Sequence, residues 1–421
     1  MEPKRTVVIV VTLDTKAAAA EYLRDEVVSW GLNTILIDPG ILGQPGIPAD
    51  ITREQVAEAA GTTLDALIAT GKKAFAIARQ TEGLIAIVCK LHAESKLDGV
   101  VGLGGGQGTS IGTAAMRALP VGVPKLMLST VATGTFQFGS YVGIKDIAMM
   151  HSVTDILDVN AISRPILRNA ANAIAGMALR GPAPRQADKP TIAITQLGQT
   201  TACVMRVKSI LEPMGYQLVP FHASGAGGPA MEDLVEGNKF IGVIDLSVHE
   251  IMDGLMGGIA GAQNRLDVLT RHKIPAVVSV GGNDYVLFES LQKAPEKYRD
   301  RRMMVHNAQM TCFLPTLDEM IEAARYMIDR LNRALGPTIA VIPSVGFTES
   351  NQPGRDLWFP EGNQAVIAEF KTGLRQKVPL IVLDVHINHP AFADLVADCM
   401  ARLLAGEAPQ AIAARYVNQP G

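Results

Sequence analysis

The chain has 421 residues, more than a single hydrophobic core usually organises, so two units are expected. Hydrophobic residues make up 48% and charged residues 19%, which excludes a disordered chain. A net charge of -3 with both signs interspersed excludes a basic surface for nucleic acid. Cys89, Cys203, Cys312 and Cys399 are too dispersed for a short-spaced zinc or redox motif, and reduced thiols are expected. No apolar run approaches the ~18 residues that span a bilayer, so no membrane contact is expected. With no address segment, the expected compartment is the cytoplasm.

From the amino end, short Val/Ile/Leu-rich runs alternate with longer helical patterns, the signature of parallel strands buried on both faces. In the first half these runs cover residues 6–12, 34–37, 99–103 and 125–129; in the second, 191–197, 217–221, 242–246, 276–280, 338–342 and 380–383. Stretches such as 15–30 and 317–335 carry apolar positions three and four apart and read as crossover helices. Residues 181–190 hold three prolines and no apolar period, which marks a linker between a first unit, 1–180, and a second, 191–421. When Leu13 is set against Leu197, Gly31 falls on Gly215 and Asp38 on His222. The expected fold is therefore α/β, two related Rossmann-like doubly wound units with mainly parallel sheets.

In such sheets ligands bind beyond the carboxyl ends of the strands, where helix amino-termini present free N–H groups. Three loops of the first unit fit. Gly104-Gly105-Gly106-Gln107-Gly108-Thr109-Ser110 follows a strand and leads into a helix expected over 111–118. Its glycines let an anion approach the backbone, its hydroxyls add donors, and Ser110 is positioned to cap the helix. It matches neither the dinucleotide fingerprint nor Walker A, and a tight turn needing glycine for geometry alone is the competing reading. Thr12-Leu13-Asp14-Thr15-Lys16 gathers hydroxyls, a carboxylate and an ammonium at one strand end. Asp14 suits a magnesium ion or a ribose hydroxyl, with a plain helix cap as the alternative. Thr130, Thr133 and Gly134 follow the next strand.

The second unit carries imidazoles and carboxylates instead. His222, Asp245, His249 and His386, with Asp284, His306, Asp384 and His389, stand at strand ends and are candidates for acid–base chemistry. No HExxH or comparable pairing fixes a metal set, and no G-x-S-x-G elbow is present.

Residues 12–16, 102–110 continuing through 116–125, and 129–134 together resemble the Tm-one-like ATP-binding domain family, bacterial and fungal proteins similar to the amino-terminal region of the tomato mosaic virus resistance protein. The similarity continues through 150–156, 221–228 and 384–392. The resemblance implies two Rossmann-like domains, ATP with magnesium, and self-association as a homodimer or higher homo-oligomer. Two positions depart from the family's pattern: Gly281-Gly282-Asn283-Asp284 stands where Gly-Ala-Leu-Asp is expected, and His389 where Asp is usual. The expected function is an ATP- and Mg-dependent enzyme acting on a small polar or carboxylated metabolite in the cleft between units. A non-catalytic nucleotide-responsive interaction module, and a lyase or hydrolase of a phosphorylated metabolite, are the alternatives.

Overall fold

A computed structural model describes residues 4–133, 139–181 and 189–416. The chain divides into two compact units, Met1–Arg185 and Gln186–Gly421. Gly134 and most of the expected linker, 182–188, lie outside the described residues.

The first unit is a five-stranded parallel sheet built from β1 (Thr6–Val11), β2 (Asn33–Ile37), β3 (Gly99–Gly104), β4 (Lys125–Ser129) and β5 (Ala148–His151), in the order β2-β1-β3-β4-β5. Side chains alternate along β1, so each face acquires its own core. Val7, Ile9 and Val11 pack with the helices Ala17–Ser29 and Ser163–Arg180. Val8 and Val10 pack with Lys73–Ala93 and Gly106–Ala118. Covered on both sides, the strands read as continuous apolar runs, which is why β1 to β4 were legible. β5 was not foreseen: it is a short edge strand with no buried position.

The second unit has a six-stranded parallel sheet from β6 (Thr191–Gln196), β7 (Gln217–His222), β8 (Gly242–Ser247), β9 (Ala276–Gly281), and two strands further on, Thr338–Pro343 and Leu380–Leu383. Between these parts three short strands, β10 (Val286–Phe288), β11 (Met303–Asn307) and β12 (Met310–Phe313), form a separate antiparallel sheet in the order β10-β12-β11. The later pair is then β13 and β14, and the large sheet runs β14-β13-β9-β8-β6-β7. Read from the β7 edge, this is the strand order of the first unit with one strand added. Gly31 and Gly215 both take positive φ, 80° and 97°, at the turns that end the first helix of each unit. Two related doubly wound units are thus the architecture. Pro220 is accommodated because β7 is an edge strand. The antiparallel insertion was not predicted, since its strands are three to five residues long and β11 is mostly exposed.

Among the described residues no helix is long and apolar enough to cross a membrane.

Candidate functional site

In the first unit, the strand order reverses between β1 and β3, and a cavity of about 430 Å³ opens there beyond the strand ends. Thr12, Asp14, Thr15 and Lys16 line it from the end of β1, and Gly105, Gly106, Gln107 and Gly108 from the end of β3. Two segments 90 residues apart in sequence, singled out separately, thus share one cavity. The expected helix over 111–118 in fact begins at Gly106, so the glycine run is the helix's first turn. Thr109 N–H already donates to the Gly105 carbonyl at 2.8 Å, while the N–H groups of Gly106, Gln107 and Gly108 have no acceptor among the described residues. They are the free donors that every helix start leaves.

Gly104 shapes this turn without lining the cavity. A Cβ there would meet the Gly108 backbone at 2.6 Å, so only glycine lets the helix begin so close to the strand. Thr109 is buried and shares a 2.6 Å hydrogen bond with Ser129 Oγ, a packing role. Ser110 lies inside the helix and donates to the Gly106 carbonyl at 3.0 Å; it does not cap it. Thr130 N–H donates to the Gly104 carbonyl, and neither Thr130 nor Thr133 lines the cavity.

The remaining wall was missed. Gly40, Ile41 and Leu42 follow β2; Leu67, Ile68, Lys72, Lys73 and Ala76 come from the connection into the helix Lys73–Ala93. Asp38 braces it, accepting from Leu13 N–H at 3.2 Å and Gly40 N–H at 2.8 Å, and burial pushes its carboxyl above the usual range. Arg53 donates to the Leu42 and Gly43 carbonyls, and Gln80 to the Gly40 carbonyl. The legible signal was Gly71-Lys72-Lys73 before an apolar helical pattern. Lys16 and Lys72 stand at the N-cap positions of their helices and Lys73 in a first turn; none pairs with a carboxylate among the described residues, and neither first turn holds an acid. Cations there oppose the helix dipole, so they are not placed for stability. Asp14 is exposed, and among the described residues its carboxylate accepts only from Thr15 Oγ1, at 3.3 Å. A single open carboxylate beside free helix-start N–H groups is compatible with magnesium, which takes few protein ligands and keeps most of the rest as water.

The second unit places a cavity of about 640 Å³ at the matching point, over the end of β6. Leu197, Gly198 and Gln199 follow β6, His222 ends β7 and Ser224 follows it, and His249 follows β8. Tyr285, Leu287, Met304, His306, Met310 and Cys312 come from the loop after β9 and the antiparallel insertion, with Ser350 and Arg355 from the loop after β13.

Of the four expected catalytic side chains, His222 and His249 line this cavity and Asp245 and His386 do not. His222 is exposed and has no partner among the described residues. His249 is 1% exposed; its Nδ1 faces the Gly282 carbonyl at 2.9 Å and its Nε2 lies 3.3 Å from Asp253, too oblique for a hydrogen bond but close enough for an ion pair. Burial works to lower its pKa, yet Asp253, the Gly282 carbonyl and Asp284 together raise it. With both nitrogens turned to acceptors of the fold, His249 is poorly placed to take a proton from a ligand. Gly282, φ 82°, is required here: a Cβ would lie 2.7 Å from that of His249.

Asp245 is buried beneath Arg265, whose Nη2 reaches both its oxygens at 2.9 Å. The same guanidinium bonds Glu250 at 2.7 Å and also Glu232. Burial disfavours the charged Arg265, but three carboxylates outweigh it and raise its pKa. Glu250 in turn holds the Gly225 and Gly228 amides, each at 3.0 Å, so the cluster fixes the loop after β7. His386 positions the neighbouring loop: Nε2 contacts the Thr348 carbonyl at 2.8 Å, and Nδ1 accepts from Asn388 N–H. Burial lowers its pKa. His389 caps the helix Pro390–Leu404 by accepting from Ala391 N–H, the role an Asp plays equally well. Among the described residues no group of His, Cys, Asp and Glu is arranged to hold a metal ion.

Residues 5–182 match the N-terminal domain of the uncharacterised protein family UPF0261, and residues 189–404 its C-terminal domain. A UPF0261 protein of Clostridium tetani is 37% identical over 95% of this chain and 99% of its own length. ToMV resistance protein Tm-1 of Solanum lycopersicum is 36% identical over 77% of this chain, and the match covers 44% of that protein. Among solved structures, UDP-GlcNAc 2-epimerase from Methanocaldococcus jannaschii aligns over 94% of this chain at 10% identity, covering 92% of its own, with a TM-score of 0.22, too distant to bear on chemistry.

Proposed function

This chain belongs to the UPF0261 family, and from that premise we propose that its first unit binds ATP with magnesium and that the protein transfers a phosphoryl group to a small polar or carboxylated metabolite. One observation carries the reading: three helix starts, at residues 16–17, 72–73 and 105–106, meet around one cavity with three lysines that pair with no carboxylate among the described residues and with free glycine amides. Only a polyanion satisfies so many donors and cations at once. The apolar wall of Ile41, Leu42, Leu67 and Ile68 suits the base.

Lys16, Lys72 and Lys73 offset the phosphate charge, and the Gly106, Gln107 and Gly108 amides donate to its oxygens. Asp14 is the residue to hold magnesium, which neutralises charge on the phosphates when bound. His222 and the rest of the second unit's cavity hold the acceptor. The four cysteines are all unpaired, in keeping with a reducing compartment such as the cytoplasm. Self-association follows the family resemblance.

Gly106→Ala tests the reading directly. A Cβ at Gly106 meets nothing within 4 Å, and alanine favours a helix, so the protein keeps its fold. A phosphate seated on that amide would meet the new methyl. Calorimetry with Mg·ATP should show binding to the native chain and at least a tenfold loss in the variant without a lower melting temperature. Equal affinity in both, or no binding of ATP to either, sinks the proposal.

A further inference from the structure

The floor of the second unit's cavity holds a donor that the fold does not use. Tyr285 is 5% exposed and stacks on His249 with ring centroids 4.0 Å apart, yet its hydroxyl makes no hydrogen bond with any described residue. A buried phenol normally finds a partner. This hydroxyl is not sealed off, since it is absent from the fully enclosed unpaired atoms such as Asp284 Oδ1, and the side chain lines the cavity. Burial raises the Tyr285 pKa well above its ordinary value, which keeps the phenol neutral and a donor.

Around this floor the walls are apolar, with Leu287, Met304 and Met310 contributed largely by the antiparallel insertion. The rim then carries three nitrogen donors. His222 and His306 have no partner among the described residues, and Arg355 has only an exposed contact of 3.8 Å with Glu349. So loose a surface pair is readily exchanged for a ligand carboxylate. Glu349 and Asp356 on the same rim disfavour a dianion, so a singly charged carboxylate suits this mouth better than a phosphate. The volume of about 640 Å³ lies within the range of small-molecule sites.

We propose that this cavity binds a small oxo or hydroxy carboxylic acid, its second oxygen accepting from the Tyr285 hydroxyl, its aliphatic body against Leu287, Met304 and Met310, and its carboxylate facing Arg355, His222 and His306. The inference rests on the reading of the second unit as the holder of the acceptor, and names the acceptor's class.

The test is calorimetric titration of the full chain with 4-oxopentanoate, pentanoate and inorganic phosphate, with Mg·ATP titrated in parallel to report on the first unit separately. The expected result is that 4-oxopentanoate binds at least tenfold tighter than pentanoate, and phosphate does not compete. Tyr285→Phe, which keeps the ring and its stacking, should weaken only the oxo acid and erase that preference. Arg355→Ala, at an exposed position, should weaken both acids. If pentanoate binds as tightly, or Tyr285→Phe keeps the preference, the oxygen assignment is wrong while the substrate-cavity reading stands. If neither acid binds, both are overturned, whatever ATP does.

Discussion

The two units share a strand order and place their cavities at the same point of it, but they furnish that point with opposite chemistry. In the first, the helix after the third strand opens on Gly106, Gln107 and Gly108, and largely glycine backbone lines the cavity there. In the second, the matching helix opens on His249 and Glu250, whose side chains fill the space and turn inward to Asp253, Gly282 and Arg265. The fold determines where a ligand goes, and the residue type at one helix start decides what it meets. Glycine leaves donors free for a polyanion. Bulkier residues convert the same site into a buried charge network with a half-apolar cavity beside it.

If that contrast is right, the second unit should be the more sensitive to charge. Arg265→Met leaves Glu232, Asp245 and Glu250 buried without their counter-ion and should cost about 3–5 kcal/mol in urea unfolding. A loss below about 1 kcal/mol would mean the cluster is solvated. Asp284 gives the next largest effect. Burial raises its carboxyl pKa from 3.8 to about 6, so between these values the native state holds a proton that the unfolded chain has released. The stability this contributes is complete below pH 3.8 and lost as pH rises through about 6. Asp284→Asn, neutral throughout, should therefore exceed the native chain in stability at pH 7 by on the order of 3 kcal/mol, the gap closing towards pH 4. A gap that does not change with pH would show that His249 keeps Asp284 charged.

The first unit should respond to volume instead. Gly104→Ala sets a methyl against the Gly108 backbone and should cost about 1–3 kcal/mol while displacing the helix start. ATP affinity measured by calorimetry should fall at least tenfold with it. The smallest effects separate the second unit's histidines by role. His389→Ala removes a helix cap and should cost about 1 kcal/mol in thermal unfolding, whereas His389→Asp keeps the cap and should change little. His222→Ala, whose side chain has no partner to lose among the described residues, should leave stability within about 0.5 kcal/mol.

The amino-acid sequence alone determined the class of fold, because strands covered on both faces must be continuously apolar and the helices between them must be periodic. It also determined that Gly104, Gly105, Gly106, Gly108 and Lys16 sit at strand ends, since both segments follow such runs. Only tertiary structure decided which of these strand ends share a cavity. Lys72 and Lys73 joined the first because a remote helix starts beside it, and Tyr285 reached the floor of the second through a loop that no periodicity marks. Asp245 and His386 looked as reactive as His222 in sequence, but a titratable side chain is defined by its partners, and Arg265 and the Thr348 carbonyl had already claimed theirs. Pattern is local and survives in one dimension. Partnership between distant residues exists only once the chain has folded.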